Sequence, residues 1–296
     1  MSLVATLVSN PARPVLDDQL VARAATVVGA LTPARWLAAG IAADLDVDAT
    51  LSAIEADARL RDLLADLPVD VHVQQADGRR KRLLIADMDS TMIGQECIDE
   101  LAAEVGLKDH VAEITERAMR GELEFEPALR ERVALLKDLP LDAVTRVLDT
   151  RITLTPGARE LVQTMRAHGA YCALVSGGFT LFTGPVGERI GFNENRANIL
   201  EVADGKLAGL VREPILGREA KRERLEQLTE DLGLSMRETL AVGDGANDLA
   251  MIARAGLGVA YHAKPKVAAE ADARVDHGDL TALLYFQGFA ASDFVA

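Results

Sequence analysis

Residues 82–93 read RLLIADMDSTMI, an apolar run that ends on two aspartates, Asp87 and Asp89. Side chains alternate along a strand, so the two carboxylates start out on the same side of the chain. Two like charges at that distance repel each other unless a cation lies between them or one of them is protonated. A purely structural turn needs only one Asp. The pair therefore indicates a site that uses negative charge, although such pairs also arise by chance in a chain with 46 acidic residues.

The pattern that follows this segment is strand, helix, strand. Strands are predicted at 82–87, 171–176, 239–243 and 256–260, and helices at 156–168, 218–232 and 247–254. Such alternation predicts an α/β fold, a Rossmann-like parallel sheet with helices on both faces. The ADGK sequence at 203–206 lies between alternating apolar residues and predicts a small β-hairpin.

A helical unit is predicted inside this core. Residues 94–151 carry no strand signal, and helical stretches are predicted at 97–105, 108–120, 126–136 and 140–149. We expect these stretches to form an inserted helical-bundle cap. The core that carries the sheet is then expected at 79–93 and 152–296.

Polar residues follow three of the predicted strands. The first strand ends on Asp87 and Asp89, the second on SGG at 176–178, and the third on GDGAND at 243–248. Ligands of a doubly wound sheet bind at the carboxyl ends of its strands. The sequence therefore predicts that these three segments meet in one functional site.

The residue types at these strand ends suit a metal ion. Asp244 adds a third carboxylate to Asp87 and Asp89, and Mg²⁺ prefers such hard oxygen ligands. Asp248, one turn further on, is a candidate for holding a metal-bound water or orienting a ligand. A turn followed by a helix cap would explain Gly245 and Asn247 equally well, but not the convergence with Asp87.

A phosphate site is predicted beside the metal site. Backbone N–H groups around Gly177, together with the Ser176 hydroxyl, suit an anion, and Lys221 can supply a cation for phosphoryl oxygens. Neither a P-loop nor a dinucleotide fingerprint occurs, so no nucleotide is implied. Phosphoryl transfer mainly needs charge neutralisation and positioning. The nucleophile is then a side chain or water, and Asp87 is the candidate for a covalent aspartyl-phosphate.

Composition limits the classes of partner and the compartment. The formal net charge of −14 argues against binding to nucleic acid or to an anionic membrane surface. The longest apolar stretches, such as 36–43, are too short to span a bilayer, and the start of the chain does not have the pattern of a signal peptide. Cys97 and Cys172 are predicted to be reduced thiols. A cytoplasmic location is expected.

The motifs DMDST, SGG, Lys221 and GDGAND resemble, in order and spacing, the four motifs of the haloacid dehalogenase-like hydrolases, over about residues 82–279. The cap segments IGQECIDELA and FEPALRERVALLKDLP are similar to those of the phosphoserine phosphatases within that superfamily. The resemblance implies Mg²⁺-dependent hydrolysis of O-phospho-L-serine to L-serine and phosphate through an aspartyl-phosphate. It also implies that this reaction is the last step of serine biosynthesis.

The same resemblance implies roles for the core residues. Asp87 would be the nucleophile and Asp89 the general acid and then the general base. The carboxylates of Asp87 and Asp244 and the backbone carbonyl of Asp89 would hold Mg²⁺. Four residues would surround the phosphoryl group: Ser176, Gly177, Lys221 and Asn247. An unperturbed Asp has a pKa of about 3.9, so Asp89 can donate a proton near neutral pH only if burial raises its pKa.

Cap residues are implied to recognise the substrate. Glu96 matches the residue that meets the substrate ammonium, and Arg132 matches the one that meets its carboxylate. An arginine suits a carboxylate because its guanidinium bonds at two places. Met119 and Phe125 match apolar residues that cover the site. Without the resemblance, Glu96 and Arg132 would be interpreted as cap surface residues.

The first 78 residues are predicted to form a small α+β module. Strands are expected at 4–8, within 34–45 and at 69–73, helices at 16–31 and 51–64, and a polar linker at 74–81. The order is similar to that of the ACT domain, an amino-acid-binding module of some family members. However, NPARP at 10–14 lacks the glycines of the ligand-binding loops in that domain. This leaves docking or homodimerisation through the module open beside amino-acid sensing.

Three other functions remain open from the sequence. A related phosphatase or phosphotransferase, for instance one that moves phosphate to homoserine, would share all four core motifs. A regulatory amino-acid-binding protein with an inactive hydrolase half is disfavoured because every motif acid and Lys221 are present. A DxD glycosyltransferase would leave SGG and GDGAND unexplained.

Overall fold

The computed structural model describes residues 2–119 and 122–295, without the side chains of Met119 and Arg218. The N-terminal part is an antiparallel four-stranded sheet, in the order β2-β3-β1-β4, with two helices. Its elements are β1 (Leu3–Ser9), α1 (Asp18–Val27), β2 (Arg35–Ala38), β3 (Ala42–Val47), α2 (Ala53–Leu63) and β4 (Val69–Gln75). Both helices begin at a capping side chain, because Asp17 accepts the N–H of Leu20 and Ser52 accepts that of Glu55.

The core is a six-stranded sheet in the order β12-β11-β10-β5-β6-β7, and every neighbouring pair is parallel. Its strands are β5 (Leu83–Ala86), β6 (Tyr171–Phe179), β7 (Glu194–Asn198), β10 (Thr239–Gly243), β11 (Leu257–Tyr261) and β12 (Ala273–Val275). The predicted parallel α/β sheet is therefore confirmed. Strands β5 and β10 are neighbours in this sheet, so the segments that follow them, with Asp87 and Asp244, start side by side.

Helices cover both faces of this sheet. Successive residues of β5 alternate between two hydrophobic clusters, Leu84 and Ala86 on one side and Leu83 and Ile85 on the other. The first side packs against α7 (Ala158–Ala167), α8 (Thr180–Ile190) and α12 (Ala282–Phe286). The second packs against α9 (Arg218–Asp231), α10 (Leu249–Arg254) and α11 (Pro265–Glu270). The strands are thus buried on both faces, which explains their continuous apolar sequence.

Four helices and a hairpin stand above the carboxyl ends of the strands. They are α3 (Cys97–Ala103), α4 (Lys108–Met119), α5 (Phe125–Ala134), α6 (Leu141–Thr150), β8 (Leu200–Ala203) and β9 (Lys206–Val211). The hairpin bonds to the loop between α5 and α6: Asp138 donates to the carbonyl of Leu207, and the N–H of Leu207 donates to that of Leu139, both at 2.9 Å. All four helices and the hairpin were predicted, and these backbone hydrogen bonds hold the hairpin against the cap.

The structure differs from the prediction in several elements of the core. Strands β7 and β12 and helices α8, α11 and α12 were not predicted. Strand β6 runs to Phe179, with a shift in its pairing to β7 after Val175, instead of ending at Ser176. Strand β7 reads ENRAN and has no apolar alternation, because it lies at the edge of the sheet. Helix α8 contains Pro185 and two glycines, residues with low helix propensity, and tertiary packing overrides that preference.

The N-terminal sheet packs directly on the core. Val69 and Val71 of β4 face the helices of their own module, whereas alternate residues of β4 contact the core. The Asp70 carboxylate accepts the backbone N–H groups of residues 276–278, and Gln74 donates to the carbonyl of Phe286 at 2.6 Å. The buried His72 ring lies 5.3 Å from that of Phe286. Among the helices of the described ranges, none has the length and apolar character needed to cross a bilayer.

Candidate active site

The turn after β5 places Asp87 and Asp89 at the edge of the sheet. The N–H of Asp87 donates to the carbonyl of Val242, 3.0 Å away, which continues the β5–β10 pairing by one residue. The chain then bends through Ser90, whose φ of 54° lies in the left-handed region. Asp89 is held at both oxygens, by the N–H of Cys97 at 2.8 Å and the hydroxyl of Ser176 at 3.2 Å. Burial is the main cause that raises the pKa of Asp89, as the predicted role of general acid requires.

A buried lysine lies beneath Asp87. The Lys221 ammonium is 2.7 Å from Asp87 Oδ2 and 2.6 Å from Asp248 Oδ1, and the lysine side chain is only 2% exposed. Burial acts to lower the pKa of Lys221, but the carboxylates of Asp248 and Asp87 more than offset it, so the pKa is raised. Asp248 also accepts the backbone N–H groups of Asp244 and Gly245, at 3.2 and 3.0 Å. The lysine is therefore a fixed positive charge below the nucleophile candidate.

Three carboxylates form a group with the chemistry of a magnesium site. Oxygens of Asp87, Asp244 and Asp248 lie within 4.8 Å of one another, and all three side chains are buried. With Lys221 they leave a net charge of −2, which a divalent cation would balance. Burial and the charge of Asp248 raise the pKa of Asp244 to about 6, as expected of buried acids held close together. The oxygen donors and the charge fit Mg²⁺. Asp89 could add only its backbone carbonyl, because its side chain is engaged elsewhere.

The SGG segment forms the next part of the wall. The Ser176 hydroxyl accepts the N–H of Gly178 at 2.9 Å. A Cβ on Gly178 would lie 2.8 Å from Asp89 Oδ2, and one on Gly177 would lie 3.4 Å from the Phe125 ring. The first contact is shorter than real Cβ atoms allow, so glycine is needed at 178 for Asp89 to reach Ser176.

Two ionisable cap residues face the same space. Glu96, which precedes α3, accepts the Ser90 hydroxyl at 2.6 Å. Burial first, and then the charge of Asp89, raise the pKa of Glu96 to about 8. Arg132, in the last turn of α5, donates to the carbonyl of Ala128 at 3.1 Å and to the Thr115 hydroxyl at 2.9 Å. It makes no ion pair with any residue of the described ranges, which leaves guanidinium donors for a ligand.

These residues surround one cavity of about 1230 Å³ between the strand ends and the cap. The predicted residues in its lining are Asp87, Asp89, Glu96, Phe125, Arg132, Ser176, Gly177, Asp244 and Asn247. Lys221 and Asp248 lie just below it, and Lys221 contacts both Asp87 and Asp248. Met119 ends α4, and its side chain lies outside the described part of the chain.

Some residues at the site were not predicted. Thr91 donates to Asp244 at 3.0 Å, and Thr115 accepts from Arg132. Thr91 belongs to the DMDST motif, so its place beside a metal-ligand candidate could have been inferred from its position two residues after Asp89. No sequence signal marks Thr115, because a threonine inside a helix is an ordinary residue.

Comparison with known proteins gives the family. The family model described as haloacid dehalogenase-like hydrolase matches residues 84–253. The chain is 47% identical over 208 residues to a phosphoserine phosphatase of Polaromonas sp., covering 69% of this chain and 88% of that protein. The chain belongs to the phosphoserine phosphatase family. It is a phosphatase with the haloacid dehalogenase-like fold.

Solved structures extend this similarity to the whole chain. A haloacid dehalogenase family hydrolase of Salmonella enterica serovar Typhi matches with a TM-score of 0.85 and 28% identity, over 96% of this chain and 98% of that one. A probable phosphoserine phosphatase of Vibrio cholerae, in an unliganded form, matches with a TM-score of 0.78 and 35% identity, over 99% and 88% of the two chains. Both matches include the N-terminal part that precedes the phosphatase core.

The buried charges predict a large effect of removing Lys221. Lys221→Met keeps the side chain's length but leaves Asp87 and Asp248 buried without their partner. We expect a loss of about 3–5 kcal/mol in the free energy of unfolding at pH 7 without metal. Burial raises the pKa of folded Asp87, so the charged form opposes folding above that pKa. The deficit should therefore shrink as the pH falls and Asp87 takes up a proton.

The matched control is Lys266→Met. Lys266 is an exposed lysine that lines the same cavity, and its replacement should change the free energy of unfolding by about 0.5 kcal/mol or less. Urea unfolding of both variants across pH 5–8 is the measurement. A small loss in Lys221→Met, equal to that of the control, would contradict the view that Lys221 compensates buried carboxylates.

Proposed function

We propose that this protein hydrolyses O-phospho-L-serine to L-serine and inorganic phosphate, with Mg²⁺ and through an aspartyl-phosphate on Asp87. One observation supports it most strongly. A single cavity joins a phosphoryl site, with Asp87 and Lys221 at its floor, to a cap wall that carries one acid and one arginine. That pairing suits the zwitterionic end of an amino-acid phosphate. The same reaction would complete serine biosynthesis.

The first half of the reaction uses both aspartates of DMDST. A carboxylate oxygen of Asp87 attacks phosphorus, the bond from phosphorus to the serine oxygen breaks, and Asp89 gives its proton to that oxygen. Lys221 supports this step because its ammonium, 2.7 Å from Asp87 Oδ2, holds the nucleophile in place and offsets phosphoryl charge. When bound, Mg²⁺ would neutralise the charge that Asp87, Asp244 and the phosphoryl oxygens share.

The second half reverses the proton's direction. Asp89, now a carboxylate, takes a proton from water as that water attacks the phosphorus of the aspartyl-phosphate. The bond between phosphorus and Asp87 breaks, which restores the carboxylate and releases phosphate. Hydrogen bonds from Cys97 and Ser176 to the two Asp89 oxygens keep this side chain in place. A raised pKa lets it serve as an acid near neutral pH.

Substrate choice is assigned to Glu96 and Arg132. A Glu96 with a pKa of about 8 holds a proton at neutral pH, and an ammonium group supplies the positive charge that favours its carboxylate form. Arg132 keeps free guanidinium donors on the cavity side, while Thr115 and Ala128 hold its other N–H groups. The two residues therefore favour a substrate with both an ammonium and a carboxylate.

The test of the function is phosphate release from a small panel of phosphorylated metabolites, with and without Mg²⁺. Phosphoserine should be the best substrate, and a chelator should abolish its turnover. Product analysis with added acceptor alcohols, homoserine included, detects phosphotransfer. A higher kcat/KM for another metabolite, or transfer that exceeds hydrolysis, would reject the proposed substrate or reaction.

Covalent catalysis predicts a labelled enzyme. Acid quenching during turnover of ³²P-labelled phosphoserine should trap phosphate on the peptide that contains Asp87, because an acyl phosphate survives brief acid. Asp87→Asn should show no label, and its far-ultraviolet circular dichroism should remain that of the parent. Normal turnover without any labelled wild-type enzyme in rapid quench would favour direct attack by water.

Asp89→Asn should separate proton transfer from metal binding. The substitution keeps the backbone carbonyl, so Mg²⁺ affinity should persist, while the loss of proton transfer should lower turnover of phosphoserine about 10²–10⁴-fold. The leaving groups of aryl phosphates need no proton, so the rate of the first step should fall less for these substrates. Burst kinetics isolate that step from the shared hydrolysis of the aspartyl-phosphate. Equal first-step losses for both substrates would count against Asp89 as the acid.

Arg132→Ala should weaken recognition of the carboxylate alone. Losing a charge-assisted bond of roughly 1.5–3 kcal/mol corresponds to about a 10- to 150-fold lower kcat/KM for phosphoserine. Phosphoethanolamine has no carboxylate, so its kcat/KM should be nearly the same in the variant as in the wild type. Turnover of an aryl phosphate should also persist. Glu96→Gln should lower kcat/KM for substrates that carry an ammonium group and leave it nearly unchanged for substrates without one.

The matched control for Arg132 is Arg130→Ala. Arg130 lies on the same helix and lines the cavity, but it is paired with Glu126 and Glu213. The Arg130→Ala substitution should therefore leave the ratio of phosphoserine to phosphoethanolamine turnover unchanged. If Arg132→Ala reduces all three substrates equally, Arg132 supports the cap and does not read the carboxylate.

A further inference from the structure

Asn198, the last residue of β7, lies behind the phosphate-binding segment and outside the cavity lining. Its side chain is 2% exposed. One amide N–H donates to the carbonyl of Gly177 at 2.9 Å, and Nδ2 also donates to the carbonyl of Leu216 at 3.3 Å. Its oxygen accepts the N–H of Leu216 at 2.7 Å. Both donors and the acceptor of this buried amide are therefore used, and all its partners are backbone groups at the site.

The Gly177–Gly178 peptide is fastened at both ends. Asn198 binds its carbonyl, and the Ser176 hydroxyl accepts its N–H at 2.9 Å. A peptide between two glycines rotates with little steric resistance. If it turned over, a carbonyl dipole would replace an N–H dipole at a site that must attract an anion. The two bonds oppose that rotation and hold the phosphate-binding backbone in one orientation.

The same amide connects a second loop of the site. Leu216 directly precedes Gly217, where helix α9 begins, and Lys221 lies in the first turn of that helix. Asn198 thus joins the backbone at Gly177 to the entry of the helix that carries the lysine. These two parts would contact the same phosphoryl group, and their separation has to match its size.

We propose that Asn198 is a positioning residue for phosphoryl binding, which sets the Gly177–Gly178 peptide and the start of α9 at a fixed separation. The proposal rests on the proposed function, because it concerns the same phosphoryl site. Asn198 would position the binding site of the phosphoryl group, which every phosphate ester shares. Arg132 and Glu96 would bind the amino-acid end of the substrate. The consequences of the proposal are therefore independent of the leaving group.

The experiment compares Asn198→Asp and Asn198→Ala with Asn193→Ala. Asp keeps the volume and the acceptor for Leu216 but turns a carboxylate toward two carbonyls. Asn193 is the matched control, because its side chain accepts the N–H of Cys172 at 2.9 Å, near the other end of β6. The readouts are Tm, kcat/KM for phosphoserine and for an aryl phosphate, and binding of inorganic phosphate with Mg²⁺ by titration calorimetry.

Both Asn198 variants should lose at least about tenfold in kcat/KM, by the same factor for both substrates, and about tenfold in phosphate affinity. Asn193→Ala should lower Tm and leave phosphate affinity unchanged. Unchanged phosphate affinity in the Asn198 variants would overturn the proposal, as would a loss confined to phosphoserine or an equal loss in the control. If Asn198→Ala does not fold, Asn198→Asp decides alone.

Failure of the proposed function gives a different result. A wild-type protein that binds inorganic phosphate but does not hydrolyse phosphoserine would reject the proposed substrate. The calorimetric comparison of the Asn198 variants would still decide whether this residue positions the phosphoryl site.

Discussion

The contact of Lys221 with Asp87 and Asp248 is the interaction on which the site depends. Burying three carboxylates close together is costly, since each is taken out of water and repels the others. The parallel sheet brings them together regardless, because β5 and β10 are neighbours and their carboxyl ends lie at one edge. One ammonium at 2.6–2.7 Å offsets part of that cost. The negative charge that remains, together with the oxygen donors, suits a divalent cation.

The remaining parts of the site divide between the core and the cap. Core residues lie at strand ends and helix starts, where the sheet fixes the backbone. Of the cap residues, Glu96 directly precedes α3 and Arg132 lies in the last turn of α5. The hairpin bonds to the loop after α5, so the cap wall is linked to the core through β8 and β9. The proposed contacts to the amino-acid end of the substrate therefore lie on different elements from the proposed phosphoryl contacts.

The sequence predicted the elements with strong apolar patterns and the residues in motifs. Strand β5 and its aspartates were predictable because a buried parallel strand is apolar throughout and ends abruptly on charge. Strand β7 was not predictable, since ENRAN at a sheet edge has no such pattern. The position of Asn198, the last residue of that strand, could therefore not be predicted either. Thr115 escaped prediction for a related reason. Thr115 lies 17 residues from Arg132 along the chain, and its role depends on the two side chains meeting in space. A single sequence does not reveal that contact.

The polar face of β4 shows how the same limit affects the N-terminal module. VDVHVQQ alternates, and by itself such alternation predicts a half-buried strand with Asp70 and His72 toward water. Instead, the core covers that face: Asp70 binds three backbone N–H groups of the loop after β12, and burial lowers the pKa of His72 to about 4. One face of the sheet thus packs on its own helices and the other on the phosphatase core. A homodimer through this module is one of the roles that the sequence leaves open. Such a dimer would use the outer helical surface or the edge strand β2, because both faces of the sheet are already covered.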